Sequence, residues 1–115
     1  MKWTSYTKGL AAEYLASLLL LLKGYIPQAR RYKTPWGEID LIVKRGKTVV
    51  FVEVKKRKYL QAGLEAITPK QRNRIEKAGQ SYLGSVNIDF NKVRFDVVIA
   101  TPKRLYHFKD AWRTV

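Results

Sequence analysis

A mixed α/β sheet flanked by helices is the architecture predicted for this chain of 115 residues, and three observations carry that prediction. Hydrophobic residues make up 46% of the sequence, including three Trp, seven Tyr and four Phe, which supports a packed core and excludes wholesale disorder. Short runs rich in Val, Ile and Phe, bounded by Gly and Pro, read as strands. Two longer stretches carry helical spacing, so the order becomes α-β-β-β-α-β-β in a single domain, without repeats, linkers or low-complexity segments.

The first helix runs from Ser5 or Thr7 to Lys23, with Thr4, Ser5 or Thr7 as caps and Gly24 as the stop. Its later half is apolar on nearly all sides, which predicts a helix covered by the rest of the domain. Residues Tyr25 to Tyr32 read as an irregular or edge strand, weakened by Pro27, and Pro35-Trp36-Gly37 as a bend. Glu38 to Lys44 and Val49 to Lys55 form a hairpin around Arg45-Gly46-Lys47-Thr48. Lys56 to Gly63 is a basic loop, followed by a helix over Leu64 to Leu83 that restarts at Thr68 as cap, with Pro69 first in the helix. Val93 to Ala100 is a buried strand, Leu105 to Phe108 a short last strand, and Asp110 to Val115 a final turn.

Composition narrows the chemistry. Without cysteine there are no disulfides, thiol nucleophiles, Cys-based zinc sites or iron–sulfur clusters. One histidine, His107, removes His-rich metal sites and is read as structural. Lys plus Arg number 23 against nine acids, a net charge of +14, which favours a polyanionic partner such as nucleic acid or an anionic membrane surface. Although Leu18 to Leu22 are five leucines in a row, Glu13, Ser17 and Lys23 interrupt or close the stretch well short of the roughly 20 apolar residues a membrane span needs. No cleavage site follows, so the segment reads as a core helix of a cytoplasmic protein.

With so few acids, their positions are informative. Glu38, Asp40 and Glu53 fall within apolar strand patterns, and Glu13 within an apolar helix. Buried carboxylates are costly unless a cation or strong hydrogen bonds meet them. A two-residue turn with Gly46 at its first central position pairs Arg45 with Thr48. The same register carried back along the hairpin sets Asp40 opposite Glu53, with Cβ atoms about 5 Å apart. Lys55 shares the face of Glu53. Two carboxylates and an ammonium on one face suit Mg²⁺ or Mn²⁺ rather than zinc. Such an ion, held by Asp40 and Glu53 with Glu13 as a further ligand, would polarise a phosphodiester and lower the pKa of a bound water. Lys55 would orient that water or stabilise the charge that develops on phosphorus.

Asp40, twelve intervening residues and then Glu53-Val54-Lys55 resemble the D…(D/E)xK signature of restriction-endonuclease-like nucleases. An acid in the first helix, here Glu13, is similar to the arrangement in archaeal-type Holliday junction resolvases and RecB-type nuclease domains. A closer likeness is to the YraN-like family of small bacterial endonuclease-like proteins. It is visible in Gly9-Leu10-Ala11-Ala12-Glu13, Gly24-Tyr25, Gly37-Glu38-Ile39-Asp40-Leu41-Ile42 and Val50-Phe51-Val52-Glu53-Val54-Lys55. It continues in Leu64-Glu65-Ala66-Ile67, Lys70-Gln71 and Arg94-Phe95-Asp96-Val97-Val98. The resemblance implies a restriction-endonuclease-like fold and a nuclease centre of Glu13, Asp40, Glu53 and Lys55. It also implies an auxiliary polar position at Gln71 or Lys70. Ile39 stands where the signature often has proline before the aspartate, as in many nucleases of this fold.

Plainer readings stand beside these. Asp40, Glu53 and Lys55 could form an ordinary cross-strand ion pair, and Glu13 could face solvent. Glu38 is an auxiliary group of the site or, more simply, the partner of a nearby base. Asp96 is a ligand or, preferably, the buried partner of Arg94 or a neighbouring Lys. Trp3, Trp36 and Trp112 read as core or interface residues rather than base-stacking platforms. Lys56, Arg57, Lys58, Lys70, Arg72 and Arg74 are the candidates for DNA-backbone contact, unless they form only a solvated surface. The expected function is a Mg²⁺-dependent endonuclease acting on DNA, with branched or damaged DNA as candidate substrates, and by analogy working as a homodimer. One alternative is a catalytically weak or inactive nucleic-acid-binding module of the same fold; another is an interaction subunit whose basic surface meets an acidic partner or membrane.

Overall fold

Runs rich in Val, Ile and Leu between residues 37 and 56 close into a tight hairpin because Gly46 takes φ +59° at the first turn position. The pairs run from Arg45↔Thr48 to Leu41↔Val52, the expected register. In the computed structural model, which describes residues 5–112, this hairpin joins β2 (Gly37–Arg45) to β3 (Thr48–Lys56). The other elements are α1 (Ser5–Leu22), β1 (Ile26–Thr34), α2 (Leu60–Glu65), α3 (Pro69–Ser85), β4 (Lys92–Ala100) and β5 (Leu105–Trp112).

The five strands form one mixed sheet in the order β1-β2-β3-β4-β5. Only β3 and β4 are parallel, joined by the α2–α3 crossover; the other neighbours are antiparallel. Each face is closed by a helix. Ile75, Ala78 and Tyr82 of α3 pack with Ile42, Val49, Phe51, Phe95, Val97 and Ile99. On the opposite face Ala16 and Leu20 of α1 pack with Leu41, Val43, Val50, Val52 and Val98. The expected α/β sheet with flanking helices is therefore observed.

Local chemistry explains the boundaries. Gly24, at φ +91°, ends α1 as read from sequence, with the Tyr25 amide donating back to the Leu20 carbonyl. Thr68 caps α3, its hydroxyl accepting from the Gln71 amide, and Pro69 opens the helix. As expected, β1 is an edge strand, and its register slips between Pro27 and Ala29.

Four expectations need correction. The segment read as a loop up to Gly63 is helical from Leu60, because Gly63 packs against Ile99 with no room for a side chain. The last strand continues past Phe108 to Trp112, absorbing a register shift opposite residues 95–97 and φ +54° at Asp110. The three residues beyond it, like Trp3 and Thr4, lie outside the described residues. The leucine-rich helix is not covered all round: among the described residues its buried apolar positions are Ala12, Ala16 and Leu20. Leu15, Leu18 and Leu22 are more than half exposed. Trp36 is likewise exposed at the β1–β2 turn, with the Lys77 ammonium 5.1 Å from its ring centre. Trp112 does join the core and donates its Nε1–H to Glu76 at 3.0 Å.

Asp96 anchors the α1 side of the sheet. Fully buried, it accepts both arms of Arg94 at 2.8 Å, His107 Nε2 at 2.7 Å and the Asp110 amide at 2.9 Å. Arg94 also donates to the Tyr25 hydroxyl at 2.7 Å. Burial alone would raise the Asp96 pKa, but hydrogen bonds from His107, Arg94 and the Asp110 amide, with the Arg94 charge, hold it below the usual carboxylate value. Its stabilisation is thus present above the ordinary value of 3.8 and is lost as pH falls through the lowered one. Replacing Asp96 by Asn leaves Arg94 without its counter-charge, and should cost about 3 kcal/mol or more in urea unfolding at neutral pH. An unchanged midpoint would show that the network adds no stability.

A candidate active site where two strands part

The hairpin ladder ends one pair short of Asp40 and Glu53. After Leu41↔Val52, the Asp40 carboxylate enters the space between the strands and accepts the Val54 amide proton at 2.8 Å. Ile39 and Ile42 both pack in the α3-side core, so the usual alternation along β2 breaks between them, at Asp40. Across the neighbouring ladder, between Arg30↔Leu41 and Tyr32↔Ile39, Arg31 takes φ +49°, rare for a non-glycine residue. Both strands are irregular at the same place, and the side chains there are charged.

Glu53 is 4% exposed and pairs with the Lys55 ammonium at 3.1 Å. It is also in hydrogen-bond contact with Asp40. Burial and the Glu53 charge push the Asp40 pKa from 3.8 up to about 8, the Glu53 hydrogen bond and the Glu13 charge adding to the rise while the Val54 amide opposes it. A protonated Asp40 donating to Glu53 is the state this environment favours below that value. Two carboxyls, a lysine and the field of a third acid therefore meet where β2 and β3 separate.

Glu13 comes from α1, is 7% exposed, and is gripped from β1 by Arg31, whose Nε donates to Oε1 at 2.9 Å and whose Nη2 donates to Oε2 at 3.2 Å. It is neither solvent-facing nor turned into a three-acid cage; among the described residues no three acidic or imidazole groups converge closely enough to hold a metal. Arg31 was missed by sequence reading. The available signal was the pair Arg30-Arg31 in a strand, where alternation turns one of two neighbours inward.

Of the remaining candidates, Glu38 is exposed and sits across from Lys33, and Asp96 is committed to Arg94. Gln71 is half-buried in the first turn of α3, next to exposed Lys70. Lys56, Arg57 and Lys58 are exposed where β3 ends. Arg72 and Arg74 are exposed on α3, the Arg72 guanidinium lying 5.8 Å from the Trp112 ring centre.

Because the raised pKa of Asp40 penalises ionisation in the folded state, its contribution to stability is greatest below pH 3.8 and declines until pH passes about 8. Asp40→Asn keeps an acceptor for the Val54 amide without the charge. It should raise Tm by roughly 5 °C at pH 8, as about 1 kcal/mol would in a domain this small, with a smaller gain at pH 5. Equal shifts at both pH values would contradict the crowding of Asp40 and Glu53.

Comparison with known proteins places the chain. Residues 12–100 match the model described as "Uncharacterised protein family UPF0102". A UPF0102 protein of Parvibaculum lavamentivorans is 49% identical over 114 residues, covering 95% of this chain and 84% of that protein. Another, from Paramagnetospirillum magneticum, is 45% identical over 112 residues, covering 92% and 87%. Among solved structures, a repair endonuclease from Pyrococcus abyssi aligns with a TM-score of 0.49 and 17% identity, over 88% of this chain and 40% of its own. In line with the likeness read from its motifs, this chain belongs to the UPF0102, or YraN-like, family.

Proposed function

We propose that this protein is a divalent-metal-dependent endonuclease that hydrolyses phosphodiester bonds in DNA. The observation that carries the proposal is the contact between the Asp40 and Glu53 carboxyls, with Lys55 at 3.1 Å from Glu53, in a chain of net charge +14. Proteins avoid placing two carboxyls side by side away from bulk water, since one of them must then stay protonated or meet a cation.

The donor set fits Mg²⁺ or Mn²⁺. Asp40 and Glu53 are two oxygen-donor groups, and Mg²⁺ is commonly held by one or two carboxylates together with water and substrate phosphate. Bound there, such an ion would supply the charge that polarises the phosphate and lowers the pKa of a water. The rest falls to the chain's own residues. Asp40 and Glu53 give up their shared proton and position the site. Lys55 offsets the negative charge that builds on the phosphoryl oxygens as water adds to phosphorus and the bond to a bridging oxygen breaks. Arg31 holds Glu13 in place, so that its charge bears on Asp40 without a third carboxylate joining the pair. Exposed Lys and Arg hold the nucleic-acid backbone.

The grip of Arg31 on Glu13 favours a second reading, a nucleic-acid-binding module of low hydrolytic power, in which that acid is structural. Incubating purified protein with linear, nicked, flapped and four-way DNA in Mg²⁺ or Mn²⁺ separates the two. Asp40→Ala and Glu53→Ala should abolish cleavage while DNA binding is kept or improved; cleavage at the wild-type rate in either variant would refute the assigned centre. Lys55→Ala should slow cleavage by about 100-fold, the scale for losing one charge-stabilising donor. Undiminished turnover would make Lys55 only the ion-pair partner of Glu53.

A further inference from the structure

The turn between β4 and β5 carries a cleft that the hydrolytic centre does not use. About 360 Å³ in volume, it is lined by Lys58, Tyr59 and Leu60 on one wall and by Thr101, Pro102, Lys103 and Tyr106 on the other. Both walls are tied down by hydrogen bonds. The Arg57 amide donates to the Ala100 carbonyl at 3.0 Å, and the Thr101 amide and hydroxyl both donate to the Arg104 carbonyl. Tyr59 leaves 66% of its surface in solvent, with the Lys58 ammonium 5.8 Å from its ring centre. Arg104 lies over the Tyr106 ring at 4.8 Å. Lys56, Arg57, Lys58, Lys103 and Arg104 crowd around this end of the sheet, and none of the described residues lining the cleft is acidic.

Cations alone would serve any phosphate. Two tyrosine rings with a leucine and a proline between the cations suit a flat apolar ring joined to an anion, which is a nucleotide with its base exposed. A duplex hides its base faces in the stack, so only an unpaired nucleotide can use such a surface. From these features we infer that the cleft binds an unpaired nucleotide of a nucleic-acid strand, with Tyr59 as the stacking platform and Lys58 and Lys103 on the flanking phosphates. The cleft continues from the end of the strand that carries Glu53 and Lys55; Lys55 and Lys56 pair with Ile99 and Ala100 just before its far wall. At strand spacing, Tyr59 lies within about 20 Å of Glu53. Resting on the nuclease reading, this implies that the preferred substrate has a single-stranded segment beside the scissile bond.

Fluorescence anisotropy without divalent metal tests the cleft separately from hydrolysis. The probe is a labelled oligothymidylate of about 15 nucleotides, set against a blunt duplex of the same length. Tyr59→Ala and Lys103→Ala should each weaken single-strand binding, Tyr59→Ala by about tenfold. Tyr59→Phe should bind the strand as the wild type does, and the duplex affinity of Tyr59→Ala should change less than twofold. Single-strand affinity unaffected by Tyr59→Ala, or equal losses for strand and duplex, would overturn the inference. So would poly-glutamate binding with the same dependence on Tyr59, since the cleft would then read charge alone. Dependence on Tyr59 in a protein that cuts nothing would leave the cleft standing and remove the nuclease.

Discussion

Asp40 and Glu53 meet where their charges oppose each other away from bulk water, and much of the local structure follows from that conflict. The hairpin ladder stops one pair before them, and the Asp40 carboxylate takes a backbone donor that the ladder would otherwise have used. Lys55 offsets part of the Glu53 charge. The remaining excess falls on Asp40, whose pKa rises to about 8. A third acid nearby would worsen the conflict, and the bidentate grip of Arg31 on Glu13 limits it. That grip comes with φ +49° in a strand, a conformation that costs free energy and that its surroundings must hold in place.

The two halves of the sheet treat buried acids in opposite ways. Asp96 is surrounded by donors from Arg94, His107 and the Asp110 backbone, and its charge is stabilised. Asp40 has one backbone donor and an acid for a neighbour, and its charge is destabilised. A satisfied carboxylate rigidifies a core, whereas a frustrated one marks a candidate functional position. The contrast distinguishes a structural acid from a candidate catalytic one within a single chain.

How much of this was legible beforehand depended on whether the rule involved was local. The Gly46 turn, the Thr68-Pro69 helix start and the Gly24 stop each rest on the backbone preference of one or two residues, and all were readable. The meeting of Asp40 with Glu53 was readable as well, because a two-residue turn fixes register along the whole hairpin. The Asp40 wedge and the left-handed Arg31 depend on tertiary crowding, which no periodicity encodes. The exposed face of α1 misled for a related reason. Leu15, Leu18 and Leu22 are apolar enough for a core, but one sheet face can cover only one stripe of a helix. Residues 60–63 read as loop because Gly63 weakens helix propensity, although its lack of a side chain is what lets α2 approach Ile99.

The proposed centre requires that Asp40 and Glu53 compete for one proton in a place a divalent cation could take. The most direct measurement follows the carboxyl carbon of Asp40 by NMR across pH, with and without Mg²⁺. A midpoint near 8 that falls sharply when Mg²⁺ is added is the predicted result. A midpoint near the ordinary 3.8, indifferent to Mg²⁺, would mean that the two carboxyls do not meet in solution.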